Sequence, residues 1–363
     1  MACAESIAGS APPTRDRDPR GEATALGRCL ALLLLLGCAP DTPARPGRLR
    51  VVQWNVENLF DAQDDPDNEG DDDFTPAGWR HWSGDRYLRK IDHLAAILAD
   101  LDGDIVCLQE VENRQVLEDL TLVLRQTHGL RYRYIVHRDG PDHRGVDVAM
   151  LSQFAPSDTH WLTPVEEQRD VLRVRLAPHG VPLVVFVVHW KSRWGGQRAT
   201  EPLRIRQARA TREAVDRELQ RDPQAAVMVV GDFNDGPAAP SVSETLHSVT
   251  NRALLAAGGA GSALFNLHGT LPGDARGTLY YRKGKTWNAF DQVLVSPSMM
   301  QPDVNGGWKV RAGSYKVYAP DILRIEDGTP HSFRIVYDRK AERHRYQEGY
   351  SDHFPVVVEL ERE

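Results

Sequence analysis

The amino-acid sequence predicts an α/β fold in which mixed β-sheets carry helices on their outer faces. Predicted strands outnumber predicted helices, and many consecutive strands are joined as hairpins, which produces antiparallel pairs. Strand–helix–strand units also recur at 49–110 and 181–231, and such units produce parallel pairs. Both kinds of pair in one chain favour mixed sheets with helices outside.

The composition is that of an ordinary globular protein. Of the 363 residues, 41% are hydrophobic and 26% are charged, with no low-complexity bulk. The formal net charge is -7, which does not favour a protein that coats nucleic acid through a basic surface and does not exclude nucleic-acid binding either. We find no internal repeat and no predicted membrane-spanning segment.

The N-terminal segment predicts export. An apolar run at 29–38 is too short to span a bilayer but matches the core of a signal peptide, and Arg28 precedes it. Its end, Leu35-Leu36-Gly37-Cys38, resembles the cleavage box of bacterial lipoproteins, in which the cysteine is acylated. We therefore predict a signal peptide at 1–37, a lipid on Cys38, a tether at 38–48, and a membrane-anchored lipoprotein facing the periplasm or the cell exterior.

Two alternatives to lipidation stay open. The chain could carry a plain secretory signal cut near Ala39, or the apolar stretch could have no role in export. The stretch before Arg28 is long and acidic for a signal peptide, so we expect the natural start to lie downstream of Met1. Only Cys38 and Cys107 would survive processing, and no disulfide is expected because Cys107 lies in an apolar strand.

Helices are predicted where apolar residues recur at three- and four-residue spacing. Ser83 is the expected N-cap of the first helix. The predicted inner face of that helix consists of Leu88, Ile91, Leu94, Ala95 and Leu98. The predicted helices lie at 83–100, 113–126 and 200–220, with a short helix at 241–249.

Strands are predicted at short apolar runs rich in β-branched residues. Pro178-His179-Gly180 is the expected turn of one hairpin, and 311–349 is expected to form hairpins and loops. The predicted strands lie at 49–56, 104–111, 131–137, 146–152, 171–176, 181–189, 227–231, 289–296 and 355–360.

Five of the hydrophobic runs carry carboxylate, amide or imidazole groups at one end. In one domain, these ends would deliver polar side chains to a single edge of the core, and this mixture of groups suits metal-assisted hydrolysis of a phosphoester. Because the ends extend over most of the chain, we expect one domain at 49–361. The groups are those of Asn55, Glu57, Gln109, Glu110, His189, Asp232, Asn234, Asp352 and His353.

Six short motifs occur in an order that resembles the endonuclease/exonuclease/phosphatase superfamily of DNase I-like proteins. The group includes nucleases, abasic-site endonucleases, inositol polyphosphate phosphatases and neutral sphingomyelinases. The resemblance implies a four-layer sandwich of two mixed β-sheets packed face to face with helices outside, and a divalent cofactor, Mg²⁺ or Mn²⁺. The motifs are Trp54-Asn55-Val56-Glu57, Leu108-Gln109-Glu110-Val111, Val188-His189, Gly231-Asp232-Phe233-Asn234, Phe290-Asp291-Gln292-Val293 and Ser351-Asp352-His353.

The resemblance implies a metal site built on carboxylates, which hard cations prefer. Glu110 corresponds to the principal metal ligand and Asp352 to a second ligand. Asn55 supports the metal or the phosphate through its amide, and Glu57 matches a position that assists metal binding. The alternative for Glu57 and Glu110 is a surface glutamate near a strand end.

The same resemblance assigns proton transfer and charge stabilisation. Asp232 orients or deprotonates the attacking water, and Asn234 stabilises charge on the phosphoryl group or binds metal. Two-residue spacing in an extended segment would place both on one face, with an Asx-rich turn as the alternative. Asp291 is expected to pair with His353 and fix its tautomer, and His189 to contact a phosphate oxygen or protonate the leaving group.

One stretch of the chain is both basic and rich in aromatic residues. Within it, Lys191 and Arg193 are predicted to contact substrate phosphate, and Arg144 elsewhere in the chain is a further candidate. For the arginines from Arg204 onward, phosphate binding and pairing with nearby acids stay equally open. The acidic loop at 64–73 is a candidate Ca²⁺ site, although its spacing favours a solvated loop.

The motifs favour a divalent-metal-dependent phosphodiesterase and, among such enzymes, a nuclease with a nucleic-acid substrate. A phosphatase and a phospholipid phosphodiesterase are the alternatives within the fold. A non-catalytic binding lipoprotein is a third reading, which the intact motifs argue against. We expect a monomer with no obligate protein partner, anchored to a membrane through Cys38.

Overall fold

The structure is a computed structural model that describes residues 47–362 except 67, 256–258, 260, 273–276, 302–305 and 339–342. The predicted signal peptide at 1–37, Cys38 and nearly all of the predicted tether lie outside the described residues. Within the described ranges, no helix combines the length and the apolar character needed to cross a bilayer.

Strands and α-helices alternate from β1 to α2, and after that the described elements are mainly strands, with α3 between β7 and β8. The helices are α1 (Gly84–Leu101), α2 (Arg114–His128) and α3 (Gln197–Arg221). The strands are β1 (Arg48–Leu59), β2 (Ile105–Val111), β3 (Tyr134–Val136), β4 (Asp147–Ser152), β5 (Pro156–Leu162), β6 (Val171–Leu176), β7 (Leu183–His189), β8 (Val227–Asp232), β9 (Ser248–Val249), β10 (Leu264–Asn266), β11 (Leu279–Tyr281), β12 (Thr286–Asn288), β13 (Asp291–Val295), β14 (Lys309–Val310), β15 (Lys316–Val317), β16 (Ile335–Asp338), β17 (Arg343–Tyr346) and β18 (Val356–Glu361).

Two mixed sheets, each with seven strands in the described part of the chain, form the centre of the domain. The first sheet has the order β14-β18-β1-β2-β4-β3, with β15 also paired to β18, and β1 and β2 run parallel. The second sheet has the order β5-β6-β7-β8-β13-β10-β9, and β7 and β8 run parallel. The predicted mixed sheets are therefore confirmed.

The two sheets pack face to face because both of their inner faces are apolar. Val51 and Cys107 of the first sheet join Val185 and Val230 of the second in one buried cluster. The alternation of side chains along a strand sends Val52, the neighbour of Val51, to the opposite face. The first sheet and the second are thus layers of one sandwich.

Helices cover the outer faces of both sheets. Leu94 and Leu98 of α1 pack in one cluster with Val52 and Val106 of the first sheet, and α2 joins the same cluster. Val215 of α3 packs with residues on the outer face of the second sheet. The result is the four-layer α/β sandwich that the motif resemblance implied.

The start of α1 follows the predicted capping pattern. Ser83 is the N-cap, and its hydroxyl accepts a hydrogen bond from the Arg86 backbone N–H at 3.4 Å. The prediction that Leu88 belongs to the inner face of this helix is wrong, because Leu88 is exposed. Tyr87 is buried in that first turn instead, and its hydroxyl donates to Asp119 at 2.6 Å.

Two other segments differ from the prediction. The short helix predicted at 241–249 is only a single π-helical turn at Ser241–Thr245, and His247, with φ 58°, then redirects the chain into β9. Strand β5 was not predicted, because it begins with a proline and its residues are mostly exposed and polar. An edge strand of this kind lacks the apolar alternation on which strand prediction depends.

Gly231 allows β8 to lie against β7 just before Asp232. It has φ 145°, and a Cβ added there would lie 1.9 Å from the carbonyl oxygen of Val188. We expect Gly231→Ala to lower the free energy of unfolding by roughly 2–5 kcal/mol through this clash and backbone strain. Urea unfolding measures the effect.

The matched control is Gly84→Ala, at the first residue of α1. A Cβ there meets no atom within 4 Å, so this change should leave stability unchanged or raise it slightly. Equal stability of the two variants would contradict the close approach at Gly231.

Candidate active site

The polar strand ends meet at one edge of the sandwich because the register aligns them. In the second sheet, His189 of β7 lies opposite Asp232 of β8, and Asp232 lies opposite Asp291 of β13. In the first sheet, Asn55 of β1 lies opposite Gln109 of β2. The group assembled at this edge comprises Asn55, Glu110, His189, Asp232, Asn234, Asp291, Asp352 and His353.

Asp232 occupies the centre of the group. Its Oδ2 accepts a hydrogen bond from Asn55 Nδ2 at 3.0 Å. The same oxygen lies 3.7 Å from His189 Nε2 and 3.8 Å from His353 Nε2. These two spacings are too long for direct hydrogen bonds and suit a water or phosphate oxygen placed between the groups.

The surroundings of Asp232 bring the pKa of its carboxyl group closer to neutral pH. Burial raises the pKa of this carboxyl to about 6, and the charge of His353 opposes that rise. Asp232 is therefore mainly ionised at neutral pH while remaining a better proton acceptor than an ordinary aspartate.

His353 and Asp291 form a buried pair between the sheets. His353 Nδ1 lies 2.7 Å from Asp291 Oδ2, and Asp291 Oδ1 accepts a further hydrogen bond from Gln53 Nε2 at 2.9 Å. Burial disfavours the charged imidazole, but Asp291 and Asp232 outweigh it and hold the pKa of His353 well above its usual value. His353 is the charged histidine of the site.

His189 has the opposite character. Its side chain is buried, and burial together with the charges of Arg169 and Arg144 lowers its pKa well below the usual value. The imidazole is therefore neutral at physiological pH. Its Nε2 faces Asp232 and Glu110, at 3.7 Å and 4.0 Å.

Glu110 is held in place by residues near the end of β1. Its Oε2 accepts a hydrogen bond from the Asn58 backbone N–H at 2.9 Å, and its Oε1 lies 3.4 Å from Asn55 Nδ2. Four non-glycine residues at this edge have left-handed backbones: Glu57 (φ 53°), Asn58 (φ 56°), Glu110 (φ 63°) and Asn234 (φ 50°). Such strain persists where the surrounding structure fixes it, commonly at functional sites.

The carboxylates at this edge fit a divalent cation. Burial and the negative charge of Glu110 raise the pKa of Asp352 while the charge of His353 lowers it, so the carboxylates of Glu110 and Asp352 lie close enough to interact. Their oxygens, with the amide of Asn55 nearby, form the donor set that Mg²⁺ and Mn²⁺ prefer. Glu110 and Asp352 would hold such an ion.

The carboxylate of Glu57 is engaged by a distant segment, and its role in metal binding stays a prediction. Its carboxylate accepts hydrogen bonds from the Ser332 hydroxyl and from the Phe333 backbone N–H, the latter at 2.7 Å. Lys90 donates to the Glu57 carbonyl at 3.0 Å. Glu57 therefore ties the end of β1 to a distant segment.

Arg193 also has other contacts than the predicted phosphate. It pairs with Asp235 at 2.8 Å, and the buried Arg204 pairs with the second oxygen of Asp235 at 2.7 Å. Asp235 was not predicted, and it settles the open question for Arg204 in favour of a structural ion pair. Phosphate binding by Arg193 stays a prediction, as it does for Lys191 and Arg144.

Those two residues differ in how they are held. Arg144 donates to Asn58 Oδ1 at 2.5 Å and lies 4.0 Å from Glu110 Oε2. The Lys191 ammonium has no hydrogen-bond or ion-pair partner among the described residues. Both cations can therefore meet an anionic substrate.

Asn234 lies in a turn, which was the alternative to the predicted extended segment. The chain turns at Asn234 rather than continuing as an extended strand, and its backbone N–H donates to Asp232 Oδ1 at 2.8 Å. Its side-chain amide donates to the Trp190 carbonyl at 2.9 Å. Asn234 thus positions Asp232 through the backbone.

Several residues that hold the site were not predicted. Gln53 Nε2 bridges Asp291 and Gln109, at 2.9 Å and 2.7 Å. Strand alternation could have identified Gln53, which shares a face with Asn55. The buried pair of Arg169 and Asp142, at 2.7 Å, carries no sequence signal that would have revealed it.

Removing the charge of Asp291 should lower the pKa of His353. In EDTA-treated protein, we expect Asp291→Asn to lower that pKa by at least about one unit, because a close anion favours the imidazolium. Histidine NMR titration measures it, with exposed His160 as an internal control that should not change. An unchanged His353 titration would contradict the pairing.

The same pair sets the sign of a stability effect. Because the folded-state pKa of His353 is raised, the stabilisation is complete below about pH 6.5, the unfolded-state value. It is lost as the pH rises through the folded-state pKa, and Asp291→Asn should reduce this dependence in urea unfolding measured across that pH range, while the charge of Asp232 keeps part of it.

Comparison with known proteins identifies the family. The chain matches the Endonuclease/Exonuclease/phosphatase family over residues 50–362. A search of curated proteins gave no match.

Solved structures share the fold at low sequence identity. Truncated TDP2 from Caenorhabditis elegans is 15% identical with a TM-score of 0.53, covering 86% of this chain and 98% of that one. A mannosyl-6-phosphatase from Bacteroides thetaiotaomicron is 19% identical with a TM-score of 0.50, covering 86% and 99%. TDP2 from D. rerio, complexed with a single-strand DNA product, is 14% identical with a TM-score of 0.50, covering 86% and 98%. Since the family match spans nearly all of the sandwich, this chain belongs to the endonuclease/exonuclease/phosphatase family.

Proposed function

We propose that the protein is a divalent-metal-dependent phosphodiesterase. The observation that carries this proposal is the position of Asp232, which faces a neutral His189, a charged His353 and the amide of Asn55 beside Glu110. One acceptor, one cationic imidazole and a set of carboxylates in a single group match the needs of phosphoester hydrolysis.

Each residue then has a separate task. Asp232, with its pKa raised to about 6, accepts a proton from the attacking water. The His353 imidazolium stabilises the negative charge of the phosphoryl group, and Asp291 keeps it oriented and charged. Neutral His189 is placed to hydrogen-bond a phosphate oxygen.

A divalent cation bound by Glu110 and Asp352 would neutralise phosphate charge and polarise the phosphoryl group. The residues around it keep their roles of binding and orientation. Arg144, fixed by Asn58, and Lys191 would contact the phosphate from the solvent side.

The charges around the site restrict the side from which a polyanionic substrate can approach. The cavity beside β2 and the β3–β4 connection is lined by acidic residues, which repel a long polyanion on that side. On the other side, Trp194 follows Lys191 and is 86% exposed, so its ring is free to stack on a base. We therefore favour single-stranded nucleic acid, the product type bound by the D. rerio neighbour.

A metal-ligand variant tests the hydrolytic function. With Mg²⁺ or Mn²⁺, we expect cleavage of bis-p-nitrophenyl phosphate and of a single-stranded oligonucleotide, and no cleavage with EDTA. Glu110→Gln should lower the rate by on the order of a hundredfold or more because it removes a metal-binding charge. The control is Glu118→Gln, a surface change on α2 that should leave the rate unaltered.

The substrate panel separates this proposal from its alternatives. It includes a sugar phosphate, a phosphomonoester and a phospholipid. Preference for a phosphomonoester would replace the phosphodiesterase proposal with a phosphatase. No cleavage of any phosphoester with any metal would overturn the enzyme proposal itself.

We also propose that the enzyme is exported and anchored through a lipid on Cys38. The proposal rests on the apolar run and the Leu35-Leu36-Gly37-Cys38 box, both outside the described residues. In a bacterial host, the protein should fractionate with membranes, and Cys38→Ser should move it to the soluble fraction. The same distribution for both proteins would contradict the anchor.

A further inference from the structure

A second group of metal-ligating side chains lies on the connection between β3 and β4. His137 directly follows β3, Asp147 begins β4, and Asp139 lies between them. One ring nitrogen of His137 and one carboxylate oxygen from each aspartate all lie within 4.8 Å of one another. Donor atoms that share a Zn²⁺ ion at about 2.1 Å lie about 3.4 Å apart, so only a small closure would be needed.

Each of the two ring nitrogens of His137 has one aspartate carboxylate near it. His137 Nε2 lies 3.9 Å from Asp147 Oδ2, and Nδ1 lies 3.8 Å from Asp139 Oδ1. Both spacings exceed a direct hydrogen bond. The side chain of Asp139 is 84% exposed, so it can move toward an ion without disturbing the core.

The buried nitrogen of His137 is an independent indication of a ligand. The side chain is 2% exposed, and Nε2 has no hydrogen-bond partner. A buried polar atom left without a partner is costly, and a bound ion would remove that cost. Burial also lowers the pKa of His137 to about 4, which leaves its lone pair free for a metal at neutral pH.

The surrounding charge favours a cation. Burial, with the charges of Asp142, Asp139 and Asp170, raises the pKa of Asp147 to about 7. Asp139 and Asp147 also line an acidic cavity of about 470 Å³. The nearby arginines are already engaged, because Arg138 pairs with Asp170, Arg169 with Asp142, and Arg114 with Glu118.

We propose that His137, Asp139 and Asp147 bind a divalent transition-metal ion, such as Zn²⁺, at a site separate from Glu110 and Asp352. An imidazole among the donors selects such ions over Mg²⁺ and Ca²⁺, which prefer oxygen ligands only. The site does not depend on the proposed hydrolytic function.

An ion at this site would fix the loop that carries Arg144. The ligands lie at both ends of the loop at 138–146, and the Gly140 backbone N–H already donates to Asp147 Oδ2 at 3.0 Å. Arg144, within the loop, contacts Asn58 beside Glu110. The ion therefore acts as a clip that holds a phosphate-binding candidate near the active site.

Metal binding to the full chain tests this proposal without reference to activity. Glu110→Gln and Asp352→Asn together remove the predicted ligands of the other site. This double variant, without an affinity tag, is stripped with chelator and titrated with Zn²⁺ by isothermal calorimetry, and bound metal is counted by mass spectrometry. We expect one equivalent of Zn²⁺ to bind.

Further changes in that background identify the ligands. His137→Gln should weaken Zn²⁺ binding at least about tenfold, and so should Asp139→Asn. Because the side chain of Asp139 is exposed, a loss of binding in Asp139→Asn would not be explained by misfolding. His160→Gln, on an exposed residue of β5, is the matched control and should bind as before. No bound equivalent in the double variant, or unchanged affinity in Asp139→Asn, would overturn the proposal.

Discussion

Polar bridges between the two sheets are the constraint on which the active site depends. His353, in the segment that leads into β18 of the first sheet, meets Asp291 of the second sheet at 2.7 Å, and Asn55 of the first sheet meets Asp232 of the second at 3.0 Å. Gln53 adds a third bridge to Asp291 at 2.9 Å. A shift of one sheet against the other would break all three, so the apolar core between the sheets fixes the site as well as the fold.

The same constraint explains how two histidines in one site come to differ in charge. His353 lies between the carboxylates of Asp291 and Asp232 and is held in the cationic form. His189 is buried near Arg169 and Arg144 and is held neutral. Environment rather than residue type therefore separates a charge-stabilising group from a neutral hydrogen-bonding group.

The sequence predicted those parts of the molecule whose signals are local. Strand runs, helical spacing and ordered motifs placed Asn55, Glu110, Asp232 and His353 at one edge, and the structure has them there. The proposed role of Asp232 as a proton acceptor depends on the residues around it. Those residues were identified by the family resemblance and not by the periodicity of the sequence.

What the sequence could not predict depends on partners remote in the chain or on local turns. Glu57 is engaged by Ser332 and Phe333, and no pattern near Glu57 indicates those residues. Arg193 is engaged by Asp235 because the chain turns at Asn234 instead of continuing as a strand.

The account is tested most directly by the coupling between Glu110, on the first sheet, and His353, which pairs with Asp291 of the second sheet. In a double-mutant cycle on phosphodiester cleavage, Glu110→Gln and His353→Ala together should be about as slow as the slower single variant, as for residues that act as a unit. Losses that multiply, or a wild-type protein that cleaves nothing, would contradict a single site built across the two sheets.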